Sequence, residues 1–150
     1  MTEASTQITA LNTLTATLLD SVNGYRDAAS HADSGRFQEL FRKFADERAT
    51  VAESLRSEVA RLGGNPEDDG SFLGKTHQRF LDLKAAITGR DDQAIVNEVE
   101  RGEDYLKEKF EAALKTDSLA PETRAVIEAA NASVLRGHDQ MRDLKHGLEA

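Results

Sequence analysis

Glu100 and Glu103 stand three residues apart in the run Glu100-Arg101-Gly102-Glu103-Asp104. On a helix, residues at this spacing are neighbours. Carboxylates turned into a helical bundle are hard oxygen donors of the kind that hold iron or manganese. Gly102 costs about 1 kcal/mol relative to alanine in a helix interior, which points to a close approach of another group to that backbone. Two more residues could join such a site, Glu47 and His138. A di-metal bundle uses a Glu from each of two helices and a Glu-x-x-His from each of the other two. Here Thr50 stands where Glu47 would need its histidine, and Leu135 stands where His138 would need its glutamate. The ligand set is incomplete.

Arg48 offers a competing use for the same carboxylates. It falls on the centre line of an apolar helical stripe, so it must be paired or must reach solvent along its stem. At about 100° per residue, Glu103 flanks the apolar stripe of its own helix and Glu100 lies further round. His138 lies on the apolar side between Val134 and Met141. These positions predict a buried polar cluster of Arg48, Glu103 and His138. An arginine–carboxylate pair would occupy the oxygens a metal needs, so no metal, no cofactor and no catalytic residue is the first expectation. The alternative is a reduced metal set of Glu47, Glu100, Glu103 and His138 holding iron, manganese or zinc. A lone histidine on an apolar helix face is more often a satisfied core residue than a ligand.

Other candidates are weaker. His31 is placed at a helix C-terminus, where positive charge suits the helix dipole, and His77 and His146 read as surface residues. Glu67-Asp68-Asp69-Gly70 lacks the spacing of a calcium loop. No Gly-rich phosphate loop is present. The chain has no cysteine, which excludes disulfides, thiolate metal sites and cysteine nucleophiles.

The elements that must position these residues follow from apolar periodicity. Helices are predicted over about 6–31, 35–62, 71–87, 92–115 and 121–147. The second carries the stripe Phe37, Leu40, Phe41, Phe44, Val51, Leu55, Val59 and Leu62. Gly63-Gly64-Asn65-Pro66 supplies its stop, and Pro121 suits the first turn of the last helix. Asp33 or Ser34 is available to cap the second helix. The first and last connections are short, whereas that between 63 and 91 is long and contains its own helix. This is the connectivity of a ferritin-like four-helix bundle, with a crossover between the second and third long helices that carries an extra short helix. A five-helix up-and-down bundle is the competing topology.

With 150 residues, 39% hydrophobic and 5% aromatic, the chain suits one helical domain with an aliphatic core. Its net charge of −8 disfavours nucleic acid and anionic membranes as partners. No apolar run reaches membrane-spanning length and no secretory signal is evident, so the expected location is the cytoplasm.

Several short segments, taken in order, carry a resemblance: Leu19 to Tyr25, Glu47-Arg48 with Leu55 and Leu62-Gly63-Gly64, Gly70-Ser71, His77-Gln78-Arg79-Phe80, Leu83-Lys84, Glu100 to Glu103, and His138-Asp139. The chain resembles an uncharacterised bacterial family of ferritin-like four-helix-bundle proteins, a domain-of-unknown-function group. The resemblance implies the fold and a bacterial origin and brings no established activity. The expected function is a non-catalytic bundle with a degenerate or absent metal centre, acting in structure, interaction or stress and able to form a homodimer. The alternative is the metal-binding protein described above.

Overall fold

The computed structural model describes residues 3–66 and 92–149. They form four long helices: α1 (Glu3–His31), α2 (Gly35–Arg61), α3 (Asp92–Leu114) and α4 (Pro121–Glu149). No strand occurs among the described residues. The short helix predicted over 71–87 lies outside them.

Local chemistry sets the helix ends. Gly63 takes a φ of +85° after α2, the left-handed conformation that glycine adopts without a Cβ penalty. Its N–H donates to the Ala60 carbonyl, and the Gly64 N–H donates to Val59. These two bonds are a Schellman motif, which satisfies carbonyls that the helix end leaves open. At the other end of α2, Ser34 is the N-cap residue but makes no side-chain capping bond. The Asp92 carboxylate serves that turn instead, accepting the N–H groups of Asp33 at 2.7 Å and Ser34 at 3.1 Å. A negative charge at a helix N-terminus is favourable, so this contact also ties the start of α3 to the α1–α2 turn.

The remaining end-to-end contacts fix the topology. The Gln7 side chain donates to the Ser118 carbonyl and accepts from the Ala120 N–H, so the start of α1 lies at the α3–α4 turn. Thr123 donates to Glu58 at 2.9 Å, placing the end of α2 at that same end of the bundle. Because α3 begins at the opposite end, beside Asp33 and Ser34, α2 and α3 run parallel and a crossover joins them. A helix of 27 residues such as α2 spans about 40 Å at 1.5 Å per residue, so the end of α2 and the start of α3 lie about that far apart. The arrangement is a ferritin-like four-helix bundle.

The core is divided along its length. One apolar cluster gathers Val22, Tyr25, Phe37, Phe41, Phe44, Ile95, Val99 and Met141. The other gathers Leu11, Leu14, Leu18, Leu55, Val59, Leu106, Phe110, Ile127 and Val134. Between them, each helix contributes one buried polar residue: Ser21, Arg48, Glu103 and His138. A polar layer therefore crosses the bundle between two apolar halves.

Candidate functional site

The polar layer is built on facing helices. Arg48 is 1% exposed and Glu103 fully buried. Arg48 Nη2 donates to Glu103 Oε1 at 2.6 Å and Oε2 at 2.9 Å, while Nη1 donates to Ser21 Oγ at 3.3 Å. The Tyr25 hydroxyl donates to Glu103 Oε1 at 2.5 Å. Three helices thus converge on one carboxylate. Such charge-assisted bonds are the strong class of hydrogen bond, and they are what makes burial of these groups tolerable.

Aromatic packing holds the tyrosine in place. Its ring stacks on Phe44, with centroids 5.2 Å apart and planes 14° from parallel, and approaches Phe41 at 6.1 Å. The Arg48 guanidinium carbon lies 5.8 Å from the Tyr25 ring centroid, within cation–π range. Burial, then the neighbouring Glu103 charge, hold the Tyr25 hydroxyl well above the ordinary tyrosine range, so it stays a donor. Burial pulls the Arg48 pKa down, but Glu103 and Tyr25 more than offset it and the group is held above its usual value.

The fourth helix meets this pair through its backbone. A Cβ at Gly137 would collide with Arg48 Nη2 and come within 3.3 Å of Phe44 Cε1. Glycine is required there because the guanidinium lies against α4. Periodicity does not single out this position, since glycine carries no hydropathy signal. Gly102 is buried in α3.

His138 occupies the same layer but is not hydrogen-bonded to the pair. Its Nε2 lies 2.6 Å from Asp104 Oδ1, and Nδ1 lies 3.4 Å from Asp139 Oδ1. Of the three residues expected in one buried polar cluster, Arg48 and Glu103 pair directly beside Gly137, and one position further round α4 the His138 imidazole meets the neighbouring residue of α3. Asp104 is 53% exposed, and a mostly exposed aspartate gave no reason to expect a partner for a buried histidine.

The alternative metal set is not brought together. Glu47 is exposed on α2. Glu100 pairs with Lys145 at 2.9 Å. Glu103 is taken by Arg48 and Tyr25, and His138 by Asp104. Among the described residues, no three His, Asp or Glu side chains are grouped so as to hold a metal ion. The physical reason is competition: each inward carboxylate has an internal cation or hydroxyl as its partner.

The sequence of residues 6–116 matches the family model described as Domain of unknown function (DUF2383). The chain belongs to the DUF2383 family. The match runs from α1 to just beyond α3, so the Arg48, Glu103 and Tyr25 positions fall within the DUF2383 region, while Gly137 and His138 on α4 lie outside it. No curated protein matches this family member by sequence. Its fold is similar to that of a mutant of Mycobacterium smegmatis Dps1, with a TM-score of 0.81 at 13% identity over 95% of this chain and 97% of that one. It is also similar to Desulfovibrio desulfuricans bacterioferritin, with a TM-score of 0.78 at 18% identity over 98% of this chain and 82% of that one. The bacterioferritin is described with a diiron site. At these identities the likeness concerns the fold. The donor set of this DUF2383 chain does not fit a diiron site among the described residues, because the buried carboxylates are already paired, Glu103 with Arg48 and Glu58 with Arg61. No described helix is long and apolar enough to cross a membrane.

Proposed function

We propose that this chain is a single-domain, non-catalytic ferritin-like bundle in which a fixed internal ion pair takes the place of a metal centre. One observation carries this reading: both oxygens of the buried Glu103 carboxylate accept hydrogen bonds from Arg48, and one also accepts from Tyr25. A carboxylate so committed keeps one lone-pair site of about four and has its charge paired with Arg48, which leaves it a poor ligand for a divalent cation. The pair acts on the fold. A buried polar layer between two apolar halves penalises any sliding of one helix against another, because sliding would strand a charge in hydrocarbon. The bundle then serves as a rigid scaffold in a structural, interaction or stress-associated role, carried out in the cytoplasm.

Elemental analysis of the protein purified without a histidine tag is the test. Iron, manganese and zinc are each expected well below one equivalent per chain. A full equivalent, abolished by Glu103→Ala or His138→Ala in protein that remains folded, would overturn the proposal in favour of metal binding.

A further inference from the structure

Between α2 and α4, on the outer side of the polar layer, lies a groove of about 420 Å³ lined by Glu47, Thr50, Val51, Ser133, Arg136, Gly137 and Gln140. Its volume falls within the usual range for small-molecule sites. Its walls carry opposite charges, Glu47 on the α2 side and Arg136 on the α4 side, both exposed. The two do not form an ion pair, and neither they nor Ser133 and Gln140 have a hydrogen-bond or ion-pair partner among the described residues. Elsewhere on the described surface, nearby opposite charges do join: Arg56 with Glu53, Arg61 with Glu58, Arg101 with Glu98, and Lys145 with Glu100. The groove thus keeps a cation and an anion on opposite walls, with uncharged donors and acceptors between them.

We propose that this groove is a binding site for a small zwitterion of the free amino-acid class. The ammonium group would lie against Glu47 and the carboxylate against Arg136, whose planar fork suits a carboxylate. Ser133, Gln140 and Thr50 supply hydrogen bonds to a polar side chain, and Val51 supplies the apolar contact. A simple anion would use Arg136 and meet repulsion from Glu47, and a simple cation would meet the reverse. Only a ligand carrying both charges satisfies both walls. Of the alternative metal set the groove takes only Glu47, and it uses neither Glu103 nor His138.

Amide chemical-shift titration of the intact chain with L-glutamine, L-lysine and glycine tests this, with acetate and methylammonium as single-charge controls. At least one amino acid is expected to give saturable shifts centred on Thr50, Ser133, Gly137 and Gln140, with the controls much weaker. Glu47→Gln and Arg136→Gln are each expected to weaken that binding about tenfold or more, the loss of one charge-assisted contact, with the melting midpoint unchanged. No saturable shift with any of the three amino acids overturns the proposal. So does weakening by Arg136→Gln alone, which would mark an anion site, or acetate binding as tightly as the amino acids.

Discussion

Replacing Arg48 by methionine isolates the energetics of the polar layer. Glu103 accepts three hydrogen bonds, two from Arg48 and one from Tyr25, at a position with no solvent exposure. Arg48→Met leaves a buried carboxylate with only the tyrosine. Breaking a buried pair from one side costs about 3–5 kcal/mol, a large part of the roughly 5–15 kcal/mol that holds a domain together. For a chain of this size the melting midpoint should fall by roughly 6–20 °C, at about 2–4 °C per kcal/mol. Glu103→Leu should cost a similar amount, because it strands the guanidinium and the Tyr25 hydroxyl. The double variant should lose less than the sum of the singles by about 3 kcal/mol or more, since apolar replacement of a whole buried pair is often neutral. In the double variant the Tyr25 hydroxyl has lost its bond to Glu103, a loss of about 1–3 kcal/mol, and Tyr25→Phe added to the double should recover most of that. Urea unfolding followed by circular dichroism, with the m-value checked for constancy, measures each corner of the cycle. Single variants whose costs add within about 0.5 kcal/mol would refute the coupling.

Three further outcomes are expected. Gly137→Ala gains about 1 kcal/mol of helix propensity but displaces a guanidinium pinned by Glu103, so it should destabilise the protein, and in the Arg48→Met background, where only the closer approach to Phe44 remains, the same change should cost less; urea midpoints of the four chains decide. Gln7→Ala removes both bonds that tie the start of α1 to the α3–α4 turn and should cost about 1–3 kcal/mol, with faster amide exchange of the first α1 turns. Glu58 is held below the ordinary carboxylate range by its hydrogen bond to Arg61, against the opposing effect of burial and with help from Thr123. Its contribution is therefore complete above the unfolded pKa and lost as pH falls through the lower folded value, so Glu58→Gln should flatten the acid limb of the stability profile.

Much of the polar layer can be anticipated from periodicity. Arg48 falls on the centre of the α2 stripe and Glu103 on the flank of the α3 stripe, and both are buried in the structure. Opposite charges at core positions on different helices have few alternatives to each other. The role of Gly137 could not be read that way, because its function is to have no side chain where a residue distant in sequence comes to rest. Nor could the choice of His138 for Asp104, which depends on the rotation of α4 against α3 and on an aspartate that is mostly exposed. The crossover follows from one long connection between two short ones, whereas the direction of α3 becomes certain only from Asp92 at the α1–α2 turn. The bond of Tyr25 to Glu103 joins residues 78 positions apart, a pairing that local patterns do not specify.

The most direct test of the substitution of an ion pair for a metal is the melting midpoint of the untagged protein in chelator, compared with the same protein in ferrous iron, manganese or zinc. A cation bound to the native state at a hundred times its dissociation constant would add about 2.7 kcal/mol, a shift of several degrees. With Glu103 neutralised internally by Arg48, the midpoint should be the same in chelator and in each metal. A rise with one metal that vanishes in Glu103→Gln would contradict the account.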